Sequence, residues 1–485
     1  MLINKLIKDL KDYRLVGSTA RKEILNLEYD SRNVTPQTLF CCIVGEKTDG
    51  HKYAAQAIEN GAVALLVNRE LEVSEDVVQI VVKDTRAAMA ELAAEFYDHP
   101  SKKLTMIGVT GTNGKTTTTY MVDSIARQAG KKTGIIGTIT NRILGKDIHT
   151  ERTTPESVDL QKLLAEMVQA GVQWVVMEVS SHSLVLERVH GITFDVGIFT
   201  NLTQDHLDFH KDFEHYRQAK KKLFYNSLKA VINIDAEDGP YMAEGLSCPV
   251  YTYGMHENAS YSASHEKLES NATSYLFSTP IGSTMININI PGKFSIYNSL
   301  AAASACMALG IDLQTVKTGL KSLEHVKGRA ESIYNKEEGY TVMIDYAHTP
   351  DALINILSSV KEFVKGRLIT LFGCGGDRDR TKRPIMGRAA CKYSDFVIVT
   401  SDNPRTEVPS AIIDDIMPGV INEGCEYIVI ENRLEAIKYA LNMAKKDDII
   451  VLAGKGHETY QEINGVKYDF DEKVIVERLL NINNS

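Results

Sequence analysis

Gly111-Thr112-Asn113-Gly114-Lys115-Thr116-Thr117 sets two glycines, a lysine and three hydroxyls directly after the apolar, β-leaning run Leu104-Thr105-Met106-Ile107-Gly108-Val109. Tyr120-Met121-Val122-Asp123-Ser124-Ile125-Ala126-Arg127 follows, with apolar residues at helical spacing. Strand, glycine turn and helix in this order make a phosphate cradle. Backbone N–H groups of the turn and the helix N-terminus face the anion, and the helix dipole adds to the field. Lys115 is the candidate for the outer phosphates, and the Thr116 hydroxyl is a candidate Mg²⁺ ligand. The pattern is shorter than the usual one, which has four residues between its glycines. Position 109 is Val, and Gly111 takes the part of the first glycine.

Two further polar clusters close predicted strands: Met177-Glu178-Val179-Ser180-Ser181-His182 and Thr200-Asn201-Leu202-Thr203-Gln204-Asp205-His206-Leu207-Asp208. Glu178 follows apolar residues on a strand. A carboxylate at a buried strand end needs a counter-charge, which a nucleotide-bound Mg²⁺ supplies. From spacing alone His206 is equally a solvated loop histidine. In the last third, strands run into Asp345-Tyr346-Ala347-His348, Gly373-Cys374-Gly375-Gly376-Asp377-Arg378, Asp402-Asn403-Pro404-Arg405 and Gly454-Lys455-Gly456-His457-Glu458. Arg378 and Arg405, after neighbouring strands, suit forks for carboxylates. Lys220-Lys221-Lys222 most simply reads as the exposed face of a helix. Gly328-Arg329-Ala330-Glu331 most simply reads as a linker.

These residues need sheets to position them. A length of 485 residues, at roughly 150 per domain, suggests three domains. The expected units are 1–101, 102–330 and 331–485. The first is a small α/β unit with strands over 62–67 and 77–82 and a helix over 85–97, ended by Asp98-His99-Pro100-Ser101. The second alternates helices with strands over 106–109, 134–139, 174–179, 196–200 and 230–234. The third carries strands over 340–344, 368–372, 396–400, 427–430 and 449–452. Such alternation implies an α/β fold with parallel sheets whose ligands lie beyond the carboxyl ends of the strands. The central sheet is expected to be of the P-loop type, and the C-terminal unit a Rossmann-like domain. No Gly-x-Gly-x-x-Gly opens a helix, so a nicotinamide cofactor is not indicated.

A net charge of −9 argues against a nucleic-acid partner. No apolar run approaches the roughly 18 residues of a bilayer span, and the N-terminus lacks a signal peptide's apolar core. The seven cysteines are scattered without metal-ligand spacing, which favours a reducing cytoplasm.

In order along the chain, Gly111 to Thr117, Thr153-Thr154-Pro155-Glu156, Met177 to His182, Asn201 to Asp208, Asp345 to His348 and Asp402 to Arg405 resemble the Mur ligases across all three segments. That resemblance implies ATP and Mg²⁺ as cofactors. It implies UDP-N-acetylmuramoyl-L-alanyl-D-glutamate and meso-diaminopimelate as the molecules joined, and a monomer without membrane or nucleic acid. It places the UDP end of the substrate at Ser31, Glu46, Lys47 and Thr48, and the muramoyl-dipeptide at Thr153, Thr154, Ser180 and Arg188. This chain has Leu186 where some relatives carry glutamine. ATP falls to Gly111, Thr112, Asn113, Gly114, Lys115, Thr116 and Thr117, with Asn298, Arg329, Asp345 and His348 at a domain junction; Ser295 stands where the family has an asparagine. The metal falls to Thr116, Glu178 and His206. Lys220 matches a lysine that the family carries as a carbamate, an anionic oxygen ligand where an ammonium would repel the metal. Lys115, Glu178, His206 and Lys220 are then the catalytic set. Arg378, Asp402, Asn403, Pro404, Arg405, Gly454 and Glu458 match the amino-acid pocket.

The implied reaction answers a chemical problem. A carboxylate is a poor electrophile at neutral pH, and phosphorylation by ATP turns it into an acyl phosphate that an amine attacks. Lysine-adding relatives lack the arginine at position 405, so Arg405 is expected to read the extra carboxylate of meso-diaminopimelate. Against lysine an unpaired buried arginine would cost roughly 3–5 kcal/mol. Ligation of L-lysine or another diamino acid is the alternative. A folylpolyglutamate synthetase and a non-catalytic nucleotide switch are rivals. Neither needs the Asp-Asn-Pro-Arg turn of a third segment.

Overall fold

The computed structural model describes residues 1–480 except positions 20, 21, 46, 47, 151, 204, 206 and 257, and excludes the side chains of 207 and 208. The expected site residues Glu46, Lys47 and His206 therefore lie outside the described residues.

Three parallel-rich sheets follow one another along the chain. The first has five strands in the order Arg14–Val16, Val78–Val81, Ala62–Val67, Thr38–Cys41, Asn26–Glu28. Only its first pair is antiparallel. Helix Thr85–Phe96 starts where the Asp84 carboxylate accepts the N–H groups of Arg86 and Ala87, and it buries Ala88, Met89, Leu92 and Ala93.

The second sheet has eleven strands. At its centre Ala230–Asn233, Val196–Phe199, Thr105–Thr110, Trp174–Glu178 and Thr133–Ile136 lie side by side, all parallel and buried. The chain leaves Thr105–Thr110 toward one side and later returns on the other, so its carboxyl end opens on a crevice. The expectation of a parallel sheet needs correction at both edges. Strands Thr273–Thr279 and Gly282–Ile288 extend one edge antiparallel, and Asn141–Ile143 with Lys146–Ile148 extend the other. The turns dictate this: two residues, Leu144 and Gly145, both at positive φ, join the last pair, and so short a link permits only a hairpin.

The third sheet runs Glu331–Asn335, Tyr340–Asp345, Ile449–Ala453, Leu368–Phe372, Phe396–Val399, Tyr427–Val429, antiparallel only at its first pair. Nearly every strand read from sequence is present within one or two residues. Helices Lys115–Gln128 and Lys293–Ala308 pack on each other, and the latter buries the small residues Ala301, Ala302, Ala303 and Ala305. Cys391 and Cys425 are joined as a disulfide with Cα atoms 5.3 Å apart, a pairing their scatter in sequence does not announce. Among the described residues no helix is long and apolar enough to cross a membrane.

Candidate active site

The phosphate loop sits in the crevice. Gly114 precedes helix Lys115–Gln128 at φ +86°, and Gly111 lies at φ +153°. A Cβ on Gly111 would fall 1.8 Å from the Thr200 hydroxyl, so only glycine allows this approach. Thr200 Oγ1 donates to the Asn113 carbonyl at 2.6 Å, the Asn113 N–H donates to Asn201 Oδ1 at 2.9 Å, and the hydroxyls of Thr112 and Tyr216 meet at 3.0 Å. Lys115 curls over the loop, its Nζ donating to the carbonyls of Gly111 and Thr112, each at 2.8 Å. Burial lowers the Lys115 pKa from its ordinary value, opposed by the charges of Glu178 and Asp205.

Glu178 ends its strand beside this loop and is buried. Its carboxylate accepts the Thr116 hydroxyl at 3.0 Å, the Thr138 hydroxyl at 2.9 Å and the Thr138 N–H at 2.9 Å. Among the described residues no cationic side chain forms an ion pair with it. A buried carboxylate next to a threonine hydroxyl is a hard-oxygen donor set of the kind Mg²⁺ takes. The residues present therefore fit that ion.

The exposed-face assignment of Lys220-Lys221-Lys222 is overturned. In helix Phe213–Tyr225, Lys220 is 1% and Lys221 7% exposed, whereas Lys222 faces solvent. The helix packs one face against the crevice, and Lys220 Nζ donates to the Gly111 carbonyl at 2.8 Å over the Tyr216 ring. Burial and the nearby Lys115 charge push the Lys220 pKa well down. The linker assignment of 328–331 is incomplete in the same way. This connection carries Arg329 into the site, where Nη2 donates to Thr116 Oγ1 at 3.1 Å and the guanidinium lies over Tyr346. Asp345 accepts the N–H groups of Ala330 and Ala347, and the His348 ring lies tilted against Tyr346, centroids 4.6 Å apart. Asn298 Oδ1 lies against Gly114.

Beside Glu178, Thr154 Oγ1 donates to the Glu178 carbonyl at 2.8 Å and lies 3.4 Å from the Ser180 hydroxyl, while Thr153 Oγ1 meets Thr138 Oγ1 at 3.1 Å. Arg188 donates to the Thr154 carbonyl and pairs with Glu156, and among the described residues its buried Nε has no partner. Ser31 and Thr48 stand apart in the first unit. Ser31 is buried with its hydroxyl on Gln56, and Thr48 meets Tyr53.

Loop and strand ends of the second and third sheets line one cavity of about 660 Å³ that includes Lys115, Glu178, Lys220, Arg329, Asp345 and His348. Sequence reasoning missed Asp351 in this cavity. It is the second residue of helix Pro350–Lys361, and its carboxylate accepts Asn113 Nδ2 at 2.6 Å and the Thr203 hydroxyl at 2.8 Å, tying the third sheet's layer to the phosphate loop. An acidic residue in a first helical turn after Pro was the available signal.

The other strand ends of the third sheet gather Asp402, Asn403, Pro404, Arg405, Gly454 and Glu458. Asn403 Nδ2 donates to Glu458 at 2.8 Å. Gly454, at φ +117°, lets Asp402 Oδ2 approach where a Cβ would be 2.5 Å away. Among the described residues that oxygen is buried without a hydrogen-bond partner, 3.8 Å from the buried Arg433. Lys455, fully buried and not singled out from sequence, bonds both Asn403 and Glu458. Arg405 is not the unpaired fork expected. Its Nη1 donates to the Gly376 carbonyl at 2.7 Å, and its Nε lies 3.3 Å from Glu462. Arg378 is exposed nearby.

A phosphate loop on one sheet, meeting the strand-end clusters of a second sheet across a shared cavity, defines a nucleotide-dependent ligase. The sequence matches three family descriptions in order: the catalytic domain of the Mur ligase family over residues 23–97, the Mur ligase middle domain over 109–306 and the Mur ligase glutamate ligase domain over 328–456. The chain belongs to the Mur ligase family. It is 49% identical over 481 residues to the UDP-N-acetylmuramoyl-L-alanyl-D-glutamate–2,6-diaminopimelate ligase 1 of Clostridium acetobutylicum, covering 99% of each chain. It is 48% identical over 484 residues to the ligase of the same name from Clostridioides difficile, again covering 99% of each. A solved structure of a ligase of that name superposes with a TM-score of 0.71 at 33% identity, over 96% of both chains. A Mycobacterium tuberculosis folylpolyglutamate synthase solved with ADP and AMPPCP shares the fold alone, at 18% identity, a TM-score of 0.63 and coverage of 81% and 95%.

Proposed function

We propose that this ligase joins meso-diaminopimelate to the D-glutamate side-chain carboxylate of UDP-N-acetylmuramoyl-L-alanyl-D-glutamate at the expense of ATP, as a cytoplasmic monomer making a peptidoglycan precursor. The carrying observation is the contact of both sheets at the phosphate loop, through Asp351 on Asn113 and Arg329 on Thr116. An acid activated on one sheet then lies within reach of an amine held on the other.

The units 1–101, 102–330 and 331–485 divide the work. Ser31, Glu46, Lys47 and Thr48 hold the UDP end, and Thr153, Thr154, Ser180 and Arg188 hold the dipeptide with its carboxylate toward the nucleotide. The carboxylate oxygen attacks the γ-phosphorus of ATP, the bridging bond breaks, and ADP leaves. Lys115 and Arg329 neutralise charge on the transferred group, the main demand of such a step. The amine of diaminopimelate then attacks the acyl carbon, loses a proton, and expels phosphate. Thr116, Glu178 and His206 would hold Mg²⁺, which supplies further charge neutralisation at the phosphates.

Lys220 takes part as a carbamate. The amine in its neutral form adds CO₂ and loses one proton, which leaves a buried anionic carbamate as the ligand. Intact-mass analysis of the native protein in bicarbonate should show one added CO₂, absent from Lys220→Ala. The variant should lose activity at least tenfold. An unmodified, fully active wild type would contradict this role.

The function itself is tested by phosphate release from ATP. Release should require the muramoyl-dipeptide and diaminopimelate together. Release with either alone, or equal turnover of L-lysine, would overturn the assignment.

A further inference from the structure

Arg383 is 1% exposed at the start of helix Lys382–Tyr393 and reaches none of the groups assigned to the amino-acid pocket. It nevertheless holds the two segments that carry them. Its Nη2 donates to Glu407 Oε1 at 2.7 Å and to the Gly375 carbonyl at 3.3 Å. Its Nη1 donates to Glu407 Oε2 at 3.0 Å and to Asp415 at 2.8 Å. Glu407 Oε1 also accepts the Asp377 N–H at 2.6 Å.

The segments are laced further along their length. The Asp377 carboxylate accepts the Thr406 hydroxyl at 2.7 Å, the Gly376 N–H donates to the Asn403 carbonyl at 2.9 Å, and Arg405 donates to the Gly376 carbonyl. They lie so close that a Cβ on Gly376 would fall 1.9 Å from the Pro404 carbonyl. Asp377 and Arg405 both take positive φ, a conformation that non-glycine residues hold only when their surroundings enforce it. The Arg383 hydrogen bonds pull the Glu407 carboxyl down to about 2.

We infer that Arg383 is a positioning residue for amino-acid choice. Through Glu407 it locks the 373–378 loop to the 402–407 turn and so fixes the separation of Arg378 from Arg405. This inference rests on the amino-acid pocket proposed above. A substrate with two charged ends is read by a fixed span, whereas L-lysine, lacking the second carboxylate, gains little from it.

Steady-state kinetics with meso-diaminopimelate and with L-lysine test it in Arg383→Met, Arg383→Lys and Glu407→Gln, with Arg405→Ala as the control for the pocket. Arg383→Met and Glu407→Gln should raise the KM for diaminopimelate tenfold or more and lower the diaminopimelate-to-lysine ratio of kcat/KM by the same factor. The KM for ATP should be unchanged, and Arg383→Lys should recover part of the ratio. Should Arg383→Met fail to fold, Glu407→Gln decides alone. A purely structural role would reduce turnover of both amino acids equally and leave the ratio intact, and that result overturns the inference. If Arg405→Ala also keeps the ratio, the pocket assignment falls. If Arg405→Ala collapses the ratio while Glu407→Gln keeps it, only the role of Arg383 falls.

Discussion

Lys115→Ala is expected to reduce amide formation by about 10³-fold or more while leaving the fold intact. Phosphoryl transfer gives the protein little covalent chemistry to perform, so its rate rests on positioning and charge stabilisation, and single cationic groups aimed at the transferred phosphoryl contribute factors of this size. The lysine donates to the carbonyls of Gly111 and Thr112. It is thus held over the loop by weak local bonds that a phosphate displaces. Burial makes its charge costly, and a polyphosphate beside it offsets that cost. Truncation removes two hydrogen bonds to carbonyls at the rim of the cavity, each worth about 1 kcal/mol, so the melting temperature should move by a few degrees at most. Equilibrium binding of the UDP-muramoyl-dipeptide should be unchanged, because Thr153, Thr154, Ser180 and Arg188 are supported by Glu178 and Glu156 instead. Single-turnover formation of the acyl phosphate isolates the affected step. Undiminished formation by Lys115→Ala would remove the basis of the proposed mechanism.

Much of the architecture was legible because parallel sheets covered on both faces leave continuous apolar runs, as in Trp174–Glu178 and Ile449–Ala453, closed by polar residues at their carboxyl ends. The antiparallel edges were harder. Strand Tyr261–Leu268 carries serines and charges on a face half open to solvent, so its period is faint. The site divides along a similar line. A glycine turn with its lysine is local chemistry and shows in sequence, whereas burial of Lys220 depends on which helix face meets the crevice. A three-lysine run carries no sign of that. Arg329 lies in a connection whose role depends on two sheets meeting, and Asp351 contributes across the same junction. Lys455 and Arg383 act on neighbouring loops through buried bonds and have no local signature at all. Resemblance to the Mur ligases pointed to Lys220 and Arg329 as site residues, which residue patterns alone assigned to solvent and to a linker.

Arg405→Ala is expected to erase preference for meso-diaminopimelate over L-lysine, though by less than the sequence suggests. An isolated buried arginine would make lysine costly by leaving its guanidinium unpaired. In the structure Arg405 is 21% exposed and already engaged by Glu462 and the Gly376 carbonyl, so no such penalty arises when the second carboxylate is missing. Among the described residues its Nη2 has no partner. Discrimination then comes from the charge-assisted bonds that a substrate carboxylate adds, about 1.5–3 kcal/mol, or roughly 10- to 150-fold in kcat/KM. Glu462 works against the substrate, since a carboxylate arriving at Arg405 must share the guanidinium with one already there. Glu462→Gln should therefore tighten diaminopimelate binding while Arg405→Ala weakens it, and the two changes should not add, because both act on one guanidinium. Measuring kcat/KM for both amino acids across this cycle separates recognition of the carboxylate from general damage to the pocket. A preference that survives Arg405→Ala would overturn the amino-acid pocket assigned around this arginine.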